Sequence, residues 1–364
     1  MSVIRHLYVH VPFCTHVCPY CGFFKTRNVP AETRGFVPAL LAEARWARAN
    51  FDVQPLTVYF GGGTPSALSV TQLEELFAGW PWPLPVGEFT FEANPLTVSA
   101  RKAAVLRAAG VNRVSLGAQA FDTASLKLLG RRHDAGAVRD TLKILRAAGF
   151  DNINLDLMFA LPGQTLAQWQ GTLSAAVALR PEHISAYNLS YEEDTEFFNR
   201  LATGVWRADA DRDREFFLQT TELLARHGFE FYEISNYARA GFASAHNRAY
   251  WRGEDYLGIG PGACATVGLE RWQNVADNRR YVEALALTGA PPREIEPLTV
   301  TVKHAERVML GLRTREGVPL PLLAGKDAAL RNLEQEGLLV IVNDSAALTV
   351  RGRLVADSIT ELLI

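Results

Sequence analysis

Between residues 7 and 188 the chain alternates six short apolar runs with stretches of helical period, and that alternation admits few folds. Strands are expected at 7–11, 57–60, 88–92, 113–116, 154–159 and 183–188. Helices are expected at 36–49, after the N-cap candidates Ser69 and Ser99, and at 123–129, 136–148 and 166–179. Ala109-Gly110 and Ala148-Gly149 read as helix stops before the next strand. Six such units give the content of a partial or full (β/α) barrel, and a doubly wound sheet is the competing architecture.

The rhythm changes after Tyr191. A helix is expected over 211–227 and a strand over 230–234, followed by a Gly- and aromatic-rich stretch, 236–268, of little periodicity. Pro291-Pro292 and Pro297 read as a linker. Helices at 299–312 and 328–336, a hairpin around Asn343-Asp344 and a final helix from Arg353 suggest a winged-helix-like α+β domain. The expected division is a core over 1–235, a connecting segment over 236–297 and a C-terminal domain over 298–364.

Charge narrows the partners. The chain carries a net −2, and residues 298–364 hold eight Lys/Arg against eight Asp/Glu, so the cations that neutralise nucleic-acid phosphates are missing. No apolar run approaches the ~20 residues of a membrane-spanning helix, and the N-terminus does not read as a signal peptide. A cytoplasmic protein with no nucleic-acid partner and no integral membrane segment is expected.

Three of the four cysteines (Cys14, Cys18, Cys21) fall in one loop directly after the first strand, with Cys264 far away. A disulfide framework would spread its cysteines, so metal or redox chemistry in a reducing compartment is expected. Two centres suit the spacing. Tetrahedral zinc would take His10 or His16 as a fourth ligand. A [4Fe–4S] cluster would keep one iron without a protein ligand, open to a substrate or cofactor.

The other strands end in polar groups or glycine on the same side. The second ends in Gly61-Gly62-Gly63-Thr64-Pro65, where backbone could approach a ligand closely. Glu92, Gln119, Asp156 and Ser190 sit at or near the ends of the next four, with Arg131 a short helix beyond Gln119. Barrel chemistry collects at that end, and the pattern describes a ring of ligands over a cluster.

These residues resemble the radical S-adenosylmethionine (SAM) proteins, and within them the group shared by oxygen-independent coproporphyrinogen III dehydrogenases and haem chaperones. The resemblance rests on Tyr8-Val9-His10-Val11-Pro12-Phe13-Cys14, the three-cysteine loop, Gly61 through Pro65, Leu129-Gly130-Arg131-Arg132-His133, Asp156 through Thr165 and Glu233-Ile234-Ser235-Asn236-Tyr237. It implies a partial (β/α)6 radical SAM barrel in which Cys14, Cys18 and Cys21 hold a [4Fe–4S] cluster and SAM chelates the open iron. It implies contacts from Tyr8, Gly62 and Glu92 to that SAM. Tyr20, Gly63, Thr64, Gln119, Arg131, Asp156 and Ser190 occupy positions that bind a second SAM in the dehydrogenases, and whether this chain binds one is left open.

Departures from the dehydrogenases favour the chaperones. Phe23 stands where those enzymes carry a further Cys, and the first Cys is already residue 14, without their N-terminal extension. His246-Asn247-Arg248-Ala249-Tyr250-Trp251 matches the chaperones' HNxxYW signature. Cys264 replaces their usual His and is expected near the SAM site. His246 has two readings, a hydrogen-bonded residue in an aromatic loop or an axial haem ligand, with Tyr250 and Trp251 as the porphyrin's wall. Haem as cargo, haem-acceptor proteins and an electron donor are the implied partners. The alternatives are the dehydrogenase itself, or a radical SAM enzyme acting on another tetrapyrrole or small molecule.

Overall fold

Six strands lie side by side in chain order, as a barrel requires; a doubly wound sheet would reverse direction at a switch point. They are β1 (Ile4–Val11), β2 (Val53–Gly62), β3 (Glu88–Ala93), β4 (Arg113–Gln119), β5 (Ile153–Phe159) and β6 (His183–Asn188), each parallel to the next. A computed structural model shows this for the described residues, 3–83 and 87–364. The fold is α/β, a partial barrel with a C-terminal domain.

Two-residue alternation explains how a parallel sheet of this kind holds polar chemistry. Val58, Phe60, Phe89, Phe91, Val114, Leu116, Ile153, Leu155 and Ile184 join one large buried core with the covering helices. The intervening positions carry Thr57, Thr90, Arg113, Ser115, Asn154, His183 and Ser185, also buried. Several of them pair with one another: Asn154 Nδ2 donates to Ser115 Oγ at 2.7 Å and to Ser185 Oγ at 2.9 Å.

The covering helices are α1 (Phe36–Asn50), α2 (Val70–Ala78), α3 (Ala100–Ala108), α4 (Thr123–Leu128), α5 (Ala135–Ala147) and α6 (Leu166–Ala178). Ser69 and Gln72 form a reciprocal capping box at the start of α2, and Ser99 caps α3. Beyond β6 come α7 (Glu196–Ala202), which the sequence reading passed over, α8 (Ala210–Arg226) and the antiparallel strands β7 (Glu230–Glu233) and β8 (Asn236–Ala238).

The stretch expected to be aperiodic, and the linker after it, need correcting. They contain α9 (Ala245–Trp251), β9 (Tyr256–Ile259), β10 (Cys264–Val267), β11 (Glu270–Asn274), α10 (Asn278–Thr288) and β12 (Arg293–Pro297). β9 pairs in parallel with the free edge of β1, and β10, β11 and β12 extend it antiparallel, making a twelve-stranded sheet. The prolines delimit an edge strand, where a missing N–H costs little.

α9 enters the barrel beneath the polar layer. The carboxylate of Glu88 on β3 accepts from Ser244 Oγ at 2.9 Å, Ala245 N at 2.8 Å and His246 N at 3.2 Å. A buried carboxyl group thus meets the unpaired N–H groups that begin the helix.

The C-terminal domain has its own core, built by Val308 and Leu312 of α11 (Val300–Leu312) with Leu330 and Leu333 of α12 (Asp327–Gln335). Its strands are β13 (Val318–Pro319), β14 (Leu339–Val342) and β15 (Ser345–Leu348). Asn343 and Asp344, at φ +49° and +57°, make the two-residue turn that the sequence indicates. No helix among the described residues is long and apolar enough to cross a membrane.

Candidate functional site

The cysteine loop leaves β1 and is tied back at once. Phe13–Cys14 pairs in parallel with Thr26–Arg27, and Lys25 Nζ donates to the carbonyls of Cys21 at 2.5 Å and Phe23 at 3.0 Å. Cys14, Cys18 and Cys21 are free thiols opening on one cavity of about 530 Å³ at the C-terminal end of the barrel. Arg131 Nη1 donates to Cys18 Sγ at 3.6 Å, and Cys14 Sγ lies 3.6 Å from Thr64 Oγ1. Burial pushes the Cys14 and Cys21 thiols up, a cost that ligation of the thiolates would offset.

The residue set fits a cluster better than a single ion. Among the described residues no group of three His, Cys, Asp or Glu is placed to hold one metal ion. A cuboidal cluster takes each thiolate on its own iron and so needs a wider spacing than tetrahedral zinc.

The glycine turn after β2 forms the next part of the wall. Gly62 sits at φ +107°, and a Cβ there would lie 2.6 Å from the His10 ring; one on Gly63 would lie 2.7 Å from the Pro12 backbone. Strain and space demand glycine at position 62, and space alone at position 63. The His10 ring is fixed in turn. Its Nε2–H donates to the Phe24 carbonyl at 2.9 Å, leaving Nδ1 to accept from the Tyr8 hydroxyl at 3.1 Å.

Two carboxylates face the cavity from below. Glu92 accepts from the Tyr59 hydroxyl at 2.7 Å; burial lifts its pKa to about 7 and the neighbouring Asp156 adds to the rise. Asp156 accepts from Ser115 Oγ at 2.9 Å and Asn154 Nδ2 at 2.8 Å, and burial raises it too. Arg131 spans the gap, donating to Asn94 Oδ1 at 2.5 Å and the Gly117 carbonyl at 2.8 Å. Asn94 donates onward to Thr64 Oγ1 at 2.8 Å.

The expected residues Tyr20, Gly62, Gly63, Thr64, Glu92, Gln119, Arg131, Asp156 and Ser190 all line this cavity with the three cysteines. Gln119 reaches it through a left-handed backbone, φ +64°, at the end of β4. Tyr8 does not line it; its hydroxyl is hydrogen-bonded to His10, which lies outside the lining as well. Cys264 stands outside it, exposed on β10 and within electrostatic reach of Tyr8 and Tyr256. Sequence reasoning missed Asn94, Tyr59 and Lys25. Asn94 was visible in Glu92-Ala93-Asn94-Pro95, where a polar residue ends a strand.

The structure puts His246 in the barrel interior, 1% exposed, lining neither this cavity nor the second one beside Tyr250 and Trp251. Its ring stacks on Tyr59 with centroids 5.0 Å apart, and Tyr250 meets it edge-on at 4.7 Å. Its Nδ1 is 2.8 Å from Thr57 Oγ1, which is 2.9 Å from His6 Nδ1, while His6 Nε2 is 2.8 Å from Glu254 Oε2. One proton assignment satisfies the chain. Glu254 accepts from His6 Nε2–H, Thr57 O–H donates to His6 Nδ1, and His246 Nδ1–H donates to Thr57. Nε2 of His246 is then a buried lone pair, and it has no partner. Burial, with His6 and Arg113 nearby, lowers this imidazole's pKa to about 3, so it is neutral. In this conformation His246 is the buried, hydrogen-bonded histidine of the two readings.

Comparison with known proteins gives concordant matches. Residues 8–176 match the radical SAM superfamily and residues 298–355 the HemN C-terminal domain. The heme chaperone HemW of Bacillus subtilis (strain 168) is 35% identical over 98% of this chain and 98% of its own length. HemW of Escherichia coli (strain K12) is 33% identical, covering 98% of this chain and 97% of its own. Among solved structures, the radical SAM coproporphyrinogen III oxidase HemN of Escherichia coli superposes with a TM-score of 0.82 over 99% of this chain and 90% of its own, at 24% identity, a likeness of fold.

Proposed function

The chain belongs to the radical SAM superfamily, in the HemW family, and from that premise we propose that it is a haem chaperone holding a [4Fe–4S] cluster and SAM. The observation that carries this reading is the single cavity on which three thiols, a glycine turn and a buried carboxylate open together. Cys14, Cys18 and Cys21 would hold the cluster, and Gly62, Gly63 and Glu92 would receive SAM. When bound, cluster and SAM supply one-electron cleavage of the sulfonium. Tyr59 orients the Glu92 carboxylate, an acceptor that would take an N–H or hydroxyl donor of SAM. Arg131 braces the loop from the opposite side by reaching both Cys18 and Asn94.

Likeness to the HemW heme chaperones and the HNxxYW motif support haem as the cargo, and delivery to acceptor proteins and an electron donor are part of the same proposal. The position of the dehydrogenases' additional Cys is held by Phe23, 70% exposed at the mouth of the cavity, which offers no thiol there. The dehydrogenase reading has support of its own, since Tyr20, Thr64, Gln119, Arg131, Asp156 and Ser190 surround the same cavity. An anaerobic assay with reconstituted protein, reductant, SAM and coproporphyrinogen III separates the two. The chaperone forms no protoporphyrinogen IX; many turnovers with CO₂ release would establish the enzyme instead.

A further inference from the structure

A second cavity, of about 690 Å³, lies between the barrel and the C-terminal domain. Tyr187, near the end of β6, lines it as well as the first cavity, so the two chambers meet at one side chain. The turn from β7 to β8 contributes Glu233 and Asn236, from the Glu233–Tyr237 motif that the first cavity does not use. Tyr250, Trp251 and Tyr256 add aromatic rings, the two tyrosines with centroids 4.4 Å apart.

Most of the charge along this cavity is already matched. Arg271 pairs with Glu306 at 2.5 Å and with Glu296 at 3.7 Å, Lys303 faces Asp255 at 3.9 Å, and Arg313 pairs with Asp357 at 2.6 Å. Glu254 lies 2.8 Å from His6 Nε2 and 3.4 Å from Arg252. Glu233 is the exception. It is 1% exposed and has no ion pair among the described residues; the Asn236 amide and backbone N–H groups of the turn donate to it, and Arg313 acts on it only at a distance. Burial raises its pKa to about 7. Beside it Asn236, 4% exposed, holds an Oδ1 with no hydrogen-bond partner among the described residues, a costly arrangement for a buried acceptor.

A carboxyl without a counter-ion, an unsatisfied amide oxygen and aromatic rings together complement a positively charged N–H donor. A carboxylate ligand would instead meet Glu233, Glu254 and Glu306. We propose that this cavity binds an organic cation, a primary ammonium on a flat apolar body. The ammonium would lie between Glu233 and Asn236 Oδ1, and the body against Tyr250, Trp251 and Tyr256. Such a site is separate from the cluster and goes beyond the haem reading, on which it does not depend.

The test is calorimetric titration of the full-length, cluster-loaded protein with three probes of one shape: 2-phenylethylamine, 2-phenylethanol and 3-phenylpropionate. At about pH 8 the amine is expected to bind about tenfold more tightly than the alcohol, and the acid to show no saturable binding. Between about pH 6 and 8 the amine's affinity should rise as Glu233 gives up its proton, while the alcohol's stays level. Glu233→Gln should bring the amine down to the alcohol's affinity, and Trp251→Ala should weaken both, with cluster iron at the wild-type level in each. Equal binding of amine and alcohol by the wild type, a level pH profile for the amine, or a preference for it that survives in Glu233→Gln overturns the cation site. Saturable binding of none of the probes overturns it as well and leaves the chaperone reading standing.

Discussion

Thr57 and His246 share a 2.8 Å hydrogen bond in a part of the barrel that solvent does not reach, Thr57 being 2% and His246 1% exposed. The pair joins β2 to the helix that closes the barrel floor, so the protonation state of His246 bears on the whole core.

The consequence is acid sensitivity. A free histidine titrates near 6.5, whereas burial holds His246 at about 3 and His133 at about 4 and lowers His183 as well. The depressed pKa contributes stability that is fully present above 6.5. As pH falls from 6.5 toward 3, the unfolded chain binds a proton that the folded chain refuses, at about 1.4 kcal/mol per pH unit for each such histidine. Urea unfolding of wild type and His246→Gln between about pH 5 and 7 should show the variant less stable near neutrality but less dependent on pH. Parallel slopes would contradict the assignment.

Cys14→Ala should lose the iron of the anaerobically reconstituted protein, and Cys264→Ala should keep it. The reason is placement: Cys14 faces the first cavity, and Cys264 lies outside it on β10. Iron analysis with the visible absorption of the cluster reads the outcome. Tightly held zinc that iron does not displace would refute the cluster.

Gly62→Val should be destabilising and should abolish SAM binding. A side chain at φ +107° costs on the order of 1–2 kcal/mol in backbone strain, and overpacking against the His10 ring, 2.6 Å from the new Cβ, adds about 1–3 kcal/mol. SAM titration followed by the EPR spectrum of the reduced cluster, beside a melting curve, checks both. A variant that binds SAM like wild type would show that the turn is not part of the site.

SAM affinity should rise with pH through about 7, where Glu92 loses its proton and becomes a charged acceptor for an N–H or hydroxyl donor of SAM. Glu92→Gln keeps the shape and the Tyr59 contact but removes the charge. It should bind SAM about tenfold more weakly at pH 8, the size of one charge-assisted hydrogen bond of about 1.5 kcal/mol, and lose the pH dependence. An unaltered pH profile in the variant would assign the dependence elsewhere.

Much of this was legible in local pattern. The six barrel strands announced themselves by apolar runs, α2 by Ser69, and the C-terminal hairpin by Asn343-Asp344. Tyr256–Ile259 was not legible: it is four residues among glycines, and its pairing with β1 joins residues some 250 apart in sequence, which periodicity does not encode. Asp277 caps α10 and was readable, but the prolines after it suggested a linker. The cavity residues were found because strand ends are addresses in a barrel. His246 was ambiguous because a motif names a residue without saying whether Glu88 will draw its helix into the interior.

Titration of haemin into the cluster-loaded, full-length protein tests the central claim most directly. A saturable Soret shift ending at one haem per chain is the result the account predicts, as expected of a protein with a built tetrapyrrole site. A shift that grows linearly with haemin and never saturates, as on a surface without a site, would contradict it.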